Sequence, residues 1–205
     1  MWERLWQLFF PDQCHGCRRF GALLCDTCSA QLGRYAGDSP ACGATKFTIA
    51  FVYGGVLRSA ILAVKYARQR RLGVALGELL AREPWQSGNA VVVPLPGAPQ
   101  RVAQRGYDQA VVLAHAVATA RRLPVSRQLV RVRHTTAQAK LSRRERHQNV
   151  AGAFVWHGTP PPAEIILVDD ICTTGATMAA AISAITHAGP CAVHVVVLAR
   201  GVLDG

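Results

Sequence analysis

Along the chain, apolar and polar positions sort into two kinds of run. Residues 90–93, 165–168 and 192–198 are short, almost wholly apolar stretches with a β-branched bias, the pattern of strands covered on both faces in a parallel sheet. Residues 47–53 alternate and break at Gly54-Gly55, and 129–132 form a further short strand. Apolar residues recur at helical spacing over 56–66, over 109–122, and after Thr177, where Met178, Ile182 and Ile185 share a face. Trp2, Leu5, Trp6 and Phe9 repeat at the same period, which predicts a short amphipathic helix ending before Pro11; packing onto the body and docking on a membrane surface are both open to it. Strands alternating with helices predict an α/β fold, a mostly parallel sheet with helices on both faces and a site at the C-terminal ends of the strands. Residues 33–46, with their Gly, Ser and Pro, read as a linker. The chain therefore divides into a small unit over 1–45 and a larger domain over 46–205.

Composition adds limits. Half of the residues are hydrophobic (50%), enough for one α/β core plus an appendage. No apolar run approaches the ~20 residues that span a bilayer, so stable membrane insertion is not expected. The N-terminus carries an early acid, Glu3, and lacks a small-residue cleavage site, so it does not read as a secretory signal. A reducing, cytoplasmic setting is expected. The net charge of +11 comes from 20 arginines and three lysines against 12 acids. Such a protein attracts polyanions, although arginine bias also follows genome composition and a solvated basic face needs no partner. The charge is uneven: 121–146 holds nine basic residues and one acid, Glu145, and Arg68, Arg70 and Arg71 form a second run.

Two stretches carry candidate chemistry. Cys14-x2-Cys17, then seven residues, then Cys25-x2-Cys28 form two knuckles whose four thiolates suit a tetrahedral structural zinc ion. A reducing setting disfavours two disulfides, and a redox Cys-x2-Cys more often stands alone before a helix. Cys42 has no such partner, and His15 reads as a loop residue. The second stretch is 164–178, Glu-Ile-Ile-Leu-Val-Asp-Asp-Ile-Cys-Thr-Thr-Gly-Ala-Thr-Met. Its apolar strand ends abruptly at Asp169 and Asp170. A loop of hydroxyls and glycine follows (Thr173, Thr174, Gly175, Ala176, Thr177), and a helix begins behind it. Such a loop turns N–H groups inward at a helix N-terminus, where anions are favoured. The hydroxyls add donors, and Gly175 lets the backbone come close. Two carboxylates do not bind a phosphate, but they accept from a pair of sugar hydroxyls. A phosphate on one side and a cis-diol on the other describe a ribose 5-phosphate. The endings of a P-loop and of a dinucleotide-binding turn are both absent.

Val-Asp-Asp-Ile-x-Thr-Thr-Gly-Ala-Thr resembles the phosphoribosyl-pyrophosphate (PRPP) motif of type I phosphoribosyltransferases. Other stretches resemble one branch of that superfamily, the ComF competence-protein family, and together they cover nearly the whole chain. Lys65-Tyr66 matches its LKY segment. Arg101, Arg105, Gly106, Tyr107, Asp108 and Gln109 resemble R...RGFNQ, with Tyr107 and Asp108 as departures. Residues 133–154 follow R.T..Q..LS..ER..N(V)..AF through Asn149, Val150, Ala153 and Phe154. The further cysteine pair that the family often carries near Cys42 is missing.

The resemblance implies a type I phosphoribosyltransferase-like sheet, with the N-terminal zinc-binding module where other members carry a base-recognising hood. It implies that Pro94 and Leu95 belong to the loop that holds pyrophosphate through backbone groups. Asp169 and Asp170 become the catalytic carboxylates on the ribose and magnesium side, and Thr173, Thr174, Gly175, Ala176 and Thr177 the 5-phosphate site. The superfamily's mobile loop, which closes to exclude water, falls on 133–149. There Arg143, Arg144 and Arg146 can clamp a pyrophosphate, with Arg101 and Arg105 as further polyanion-facing residues. A surface helix with i, i+3 and i+4 charges explains the same loop. For Lys65, a ligand role and a solvated helix end are both open.

Three functions compete. One is a ComF-like protein that binds PRPP and magnesium and handles single-stranded DNA during natural transformation, beside a DNA-uptake helicase. The second is an active phosphoribosyltransferase of nucleotide metabolism or salvage, its acceptor unidentified. The third is a PRPP-responsive regulator without catalysis. The fold does not decide among them.

Overall fold

The computed structural model describes residues 11–85, 88–133, 150 and 152–201. The expected helix over residues 2–9 and the loop bearing Arg143, Arg144 and Arg146 lie outside the described residues. In chain order the elements are α1 (Asp26–Ala30), β1 (Lys46–Val52), α2 (Gly55–Tyr66), α3 (Arg70–Ala81), β2 (Val91–Pro94), α4 (Pro99–Arg105), α5 (Gln109–Arg121), β3 (Leu129–Arg131), β4 (Phe154–Trp156), β5 (Glu164–Cys172), α6 (Ala176–Ala188) and β6 (Ala192–Arg200).

The sheet runs β1-β6-β5-β2, and every neighbouring pair is parallel. β5 and β6 are its centre, in register from Glu164 opposite Ala192 to Cys172 opposite Arg200. Their apolar runs are continuous because layers cover both sides. On one face, Leu57 and Ile61 of α2, Leu72 and Leu76 of α3, and Leu113 and Val117 of α5 pack on Ile166, Val168, Val196 and Leu198. On the other, Met178, Ile182 and Ile185 of α6, with Leu129, Phe154 and Trp156 of the antiparallel β3–β4 pair, pack on Ile165, Leu167, Val195 and Val197. Successive β5 side chains thus feed alternate cores, the period of two that a strand imposes. The mostly parallel sheet of the sequence reading is present, with one face closed, among the described residues, by α6 and a β-pair.

Two expectations are corrected. β5 does not end at Val168. It continues through both carboxylates to Cys172, because β6 remains extended beside it and supplies the ladder partners its backbone requires. Residues 33–46 are not simply a linker. Tyr35 N donates to Ala50 O at 3.2 Å and Val52 N to Gly33 O at 2.9 Å, with Arg34 antiparallel to Phe51. This segment covers the outer edge of β1, which would otherwise be open to pairing. Arg34 also pairs with Glu83 and lies 5.0 Å over the Phe51 ring. α3, α4 and β4 go beyond the sequence reading. No helix among the described residues is long and apolar enough to cross a membrane.

Away from the acidic pair, a histidine is also buried within the sheet. His194 of β6 is 5% exposed, its Nε2 lies 2.9 Å from Thr48 Oγ1, and its ring stands edge-on to Trp85 at 6.0 Å. Burial and then the Lys46 charge lower its pKa from the ordinary 6.5, with Glu164 opposing. The folded state therefore holds this proton less readily than the unfolded chain. Above the unfolded value both states are neutral and pH has no effect through this group; as pH falls below it, the unfolded chain takes up the proton first and stability declines. Urea denaturation at about pH 7.5 and about pH 5.5 is expected to show a larger loss on acidification for wild type than for His194→Gln. Equal losses would assign the pH sensitivity to other groups.

Candidate functional site

The C-terminal ends of β2 and β5 open onto a cavity of ≈ 540 Å³. Its walls are the last turn of α2, the 95–98 loop, α4, the end of β3 and the 173–177 segment. Asp169 and Asp170 both line it, but strand alternation sends the two side chains to different sides. Asp170 turns toward α2, where Lys65 Nζ meets its Oδ2 at 2.7 Å, the two side chains being only 18% and 8% exposed. Burial alone would lower the Lys65 pKa, but Asp170 beside it outweighs this and the net shift is upward, so the ammonium persists. Asp169 Oδ1 accepts from Asp170 N at 2.8 Å. Burial, and then the charge of Asp170, push Asp169 well above the usual carboxylate range, with that N–H and Lys65 partly offsetting them.

The 173–177 segment joins β5 to α6 through a left-handed residue. Gly175 (φ 81°) is the N-cap of α6, a conformation that costs any β-carbon-bearing residue. A Cβ there would also stand 2.8 Å from Pro40 Cβ. The segment expected to be a linker therefore supports the loop from beneath, and Cys42, without a Cys-x2 partner in the sequence, is a buried core residue at the same place. Thr174 Oγ1 accepts from Ala176 N at 3.3 Å, which sets the first turn of α6. Thr173, Thr174, Ala176 and Thr177 all border the cavity.

Leu95 of the following loop lines the cavity, whereas Pro94, buried at the end of β2, does not; Pro96, Gly97 and Ala98 do. Leu95 N donates to Val168 O at 2.9 Å, tying the loop to β5. Asp108, the departure from the family's asparagine, has two structural uses. Oδ1 caps α5 through Ala110 N at 3.0 Å, and Oδ2 accepts from Gly97 N at 2.8 Å.

The cationic residues divide by what they touch. Arg101 is exposed on the cavity wall. Arg105 also borders the cavity, but it is 8% exposed and donates through Nε to Lys65 O at 2.7 Å and through Nη1 to Gln109 Oε1. Tyr107 O–H donates to Val64 O. Together they satisfy two of the C-terminal carbonyls of α2, which a helix leaves without partners. Arg131 is a cavity residue that the sequence reading missed. It lies 5.3 Å over Phe154, and burial and then the Arg101 charge lower its pKa, so the two guanidiniums are near enough to repel. A single arginine closing a three-residue strand has no spacing signature that would single it out.

The four expected cysteines converge. The sulfurs of Cys14, Cys17, Cys25 and Cys28 all lie within 4.8 Å of one another. A tetrahedral thiolate site with Zn–S bonds of about 2.3 Å has S···S edges of roughly 3.8 Å, and both Cys14–Cys25 and Cys17–Cys25 are at 3.6 Å. Gly16 permits the closure, since a Cβ there would stand 2.6 Å from Cys28 Sγ. Burial opposes ionisation of Cys14, but N–H groups from Cys25, Cys17 and Gly16 outweigh it and bring the thiol down to about 6. These four residues can hold a metal such as zinc. Outside the cluster, His15 meets Gln69 at 2.8 Å and Asp12 takes both Arg71 Nη atoms at 2.8 Å, so the knuckles dock on the start of α3. None of the described residues that line the cavity comes from 11–45. Elemental analysis of protein purified without added metal is expected to give about one equivalent of a thiolate-bound divalent ion. Cys25→Ser is expected to lower both metal content and thermal stability; full metal content in that variant would remove the cluster as the site.

Residues 108–202 match the model of the phosphoribosyl transferase domain family. Competence protein F of Haemophilus influenzae is 36% identical over 42% of this chain and 40% of its own length. DNA utilization protein YhgH of Salmonella typhi is 30% identical over 67% of this chain and 64% of its own. The chain thus covers less than two thirds of either relative. Among solved structures, glutamine phosphoribosylpyrophosphate amidotransferase from B. subtilis is similar at 25% identity and a TM-score of 0.42, over 60% of this chain and 25% of that one. With its parallel sheet and these relatives, the chain carries a match to the phosphoribosyl transferase domain over residues 108–202 and is similar to competence protein F and the DNA utilization proteins, the relatives expected of the ComF family.

Proposed function

We propose that this protein binds PRPP at the cavity beyond β5. The observation that carries the reading is that the acidic pair, the threonine–glycine segment at the start of α6 and the 95–98 loop border one space of ≈ 540 Å³, within the roughly 300–1,000 Å³ of ordinary ligand sites. The 5-phosphate sits on the first-turn N–H groups of α6 and the hydroxyls of Thr173, Thr174 and Thr177. The ribose hydroxyls face Asp169 and Asp170. The diphosphate lies toward Leu95–Ala98 backbone groups and the cations Arg101 and Arg131. Magnesium, when bound with the diphosphate on the Asp169 side, supplies neutralisation of the leaving group's charge. Residues 1–45 act as a zinc-stabilised module attached to the 46–205 domain. Transfer of the phosphoribosyl group to an acceptor and a non-catalytic, PRPP-sensing use both start from this binding step.

The names of the relatives support a role in DNA uptake, in which this protein handles incoming single-stranded DNA. Part of the basic charge belongs to the fold instead. Arg121 donates to Ala81 O at 2.7 Å and Glu83 O at 2.5 Å and lies 4.2 Å over Trp85. Any DNA contact therefore rests on other arginines.

Calorimetry is expected to show PRPP binding to wild type and a marked loss in Thr174→Ala/Thr177→Ala. Each lost hydrogen bond to the charged phosphate costs about 1.5–3 kcal/mol. Equal affinity in both proteins would sink the assignment. For DNA, filter binding across a salt series is expected to give a log–log slope of about −0.7 per phosphate neutralised, with weak sequence preference because few aromatics accompany the arginines. Arg143→Ala/Arg144→Ala is expected to flatten that slope, whereas Arg121→Ala lowers stability instead. A flat salt response in wild type would remove the DNA-handling role and leave the two uses that rest on PRPP binding alone.

A further inference from the structure

Two neighbouring carboxylates at the mouth of a phosphate site invite a divalent cation, but the structure has already placed a cation on one of them. Lys65 Nζ lies 2.7 Å from Asp170 Oδ2, in contact with an acid whose side chain is 8% exposed. Asp169 is partly engaged as well, through the Asp170 N–H. The lysine is not a free arm that folds in from solvent. It belongs to the last turn of α2, and the carbonyls of that turn are held from the far side, Val64 O by Tyr107 O–H and Lys65 O by Arg105 Nε at 2.7 Å. Arg105 is itself anchored by Gln109, in the first turn of α5. Moving the ammonium away would leave a buried carboxylate without its counter-charge, the costly half of a broken buried pair.

We infer that Lys65 is the resident counter-cation of the acidic pair, occupying on Asp170 the place a divalent ion would take, with Arg105 and Tyr107 as the residues that position it. This rests on the ribose-phosphate reading of the cavity and narrows it. An ammonium has three N–H donors and no acceptor, whereas the carboxylate beside it only accepts. Lys65 and Asp170 together therefore offer a vicinal diol one donor and one acceptor, without a metal between them. The acidic pair by itself is a poor divalent-cation site, and the sugar-phosphate half of the ligand binds without metal. Any magnesium enters with the diphosphate.

The test uses zinc-loaded full-length protein in metal-depleted buffer, with Mn²⁺ and ribose 5-phosphate as probes, each followed by calorimetry and Mn²⁺ also by its paramagnetic resonance. Wild type is expected to bind Mn²⁺ no better than Asp170→Asn does. Lys65→Met, which keeps the length and removes the charge, is expected to bind Mn²⁺ at least tenfold more tightly, and the added Asp170→Asn change should abolish that gain. Lys65→Arg should behave as wild type. Ribose 5-phosphate should bind wild type without metal and bind Lys65→Met at least tenfold more weakly, with recovery when Mn²⁺ is supplied. Mn²⁺ bound by wild type and lost in Asp170→Asn would overturn the inference, and that comparison needs no Lys65 variant to fold. Equal Mn²⁺ affinities for wild type and a folded Lys65→Met would overturn it too. Failure of wild type to bind ribose 5-phosphate under any condition would overturn the ribose-phosphate reading instead, and the Mn²⁺ comparison would still decide the role of Lys65.

Discussion

A strand buried on both faces that ends in two carboxylates sets the central constraint of this molecule. β5 needs both cores to be stable, yet Asp169 and Asp170 continue the same ladder to the cavity wall, Asp170 buried and Asp169 partly so. A charge taken out of water must be matched by a partner or neutralised. The structure uses both routes on adjacent residues. Asp170 is matched by Lys65, and Asp169 is pushed toward its protonated form. Much of the surrounding architecture follows from that need: α2 ends where its lysine reaches Asp170, and Arg105 and Tyr107 secure that end.

The N-terminal segment belongs to the same scheme, though it contributes no described residue to the cavity wall. Its 33–35 stretch closes the open edge of β1, and Pro40 and Cys42 fill the space beneath Gly175. A glycine with positive φ gives the loop its shape, and the neighbouring packing leaves no room for a substitute. The cysteine knuckles hold the start of this segment against α3 through Asp12–Arg71 and His15–Gln69. A metal held by the four cysteines would stabilise a strap whose other end supports the 173–177 loop.

Arginine content overstates the basic surface. Arg34, Arg71, Arg105 and Arg121 hold acids or helix-end carbonyls of the same chain. Guanidinium suits this use because its fixed fork of donors satisfies carbonyls and lies flat on aromatic rings. Net charge alone therefore does not separate arginines that build the fold from those available to a polyanion.

The sequence by itself determined the features written in local periodicity and spacing. The continuous apolar runs of β5 and β6 specify a doubly covered parallel sheet, because only burial on both faces tolerates them. The helical spacing of α2, α5 and α6 specifies the layers, and two Cys-x2-Cys knuckles specify a four-sulfur cluster, because ligands that close in sequence need little else to converge. The acidic pair, the threonines and Gly175 were legible as candidates from their order. Tertiary structure alone decided how they are used. Lys65 and Asp170 are separated by most of the domain, so no spacing rule links them. Arg105 read as a residue facing a polyanion; it borders the cavity, but α2 ends beside it and takes its Nε donor. Arg131 entered the cavity through a β3–β4 pairing too short to announce itself. Asp169 and Asp170 read as the stop at the end of the strand, but β6 stays extended beside them and draws them into the ladder, where alternation sends one toward a lysine and leaves the other on the cavity wall.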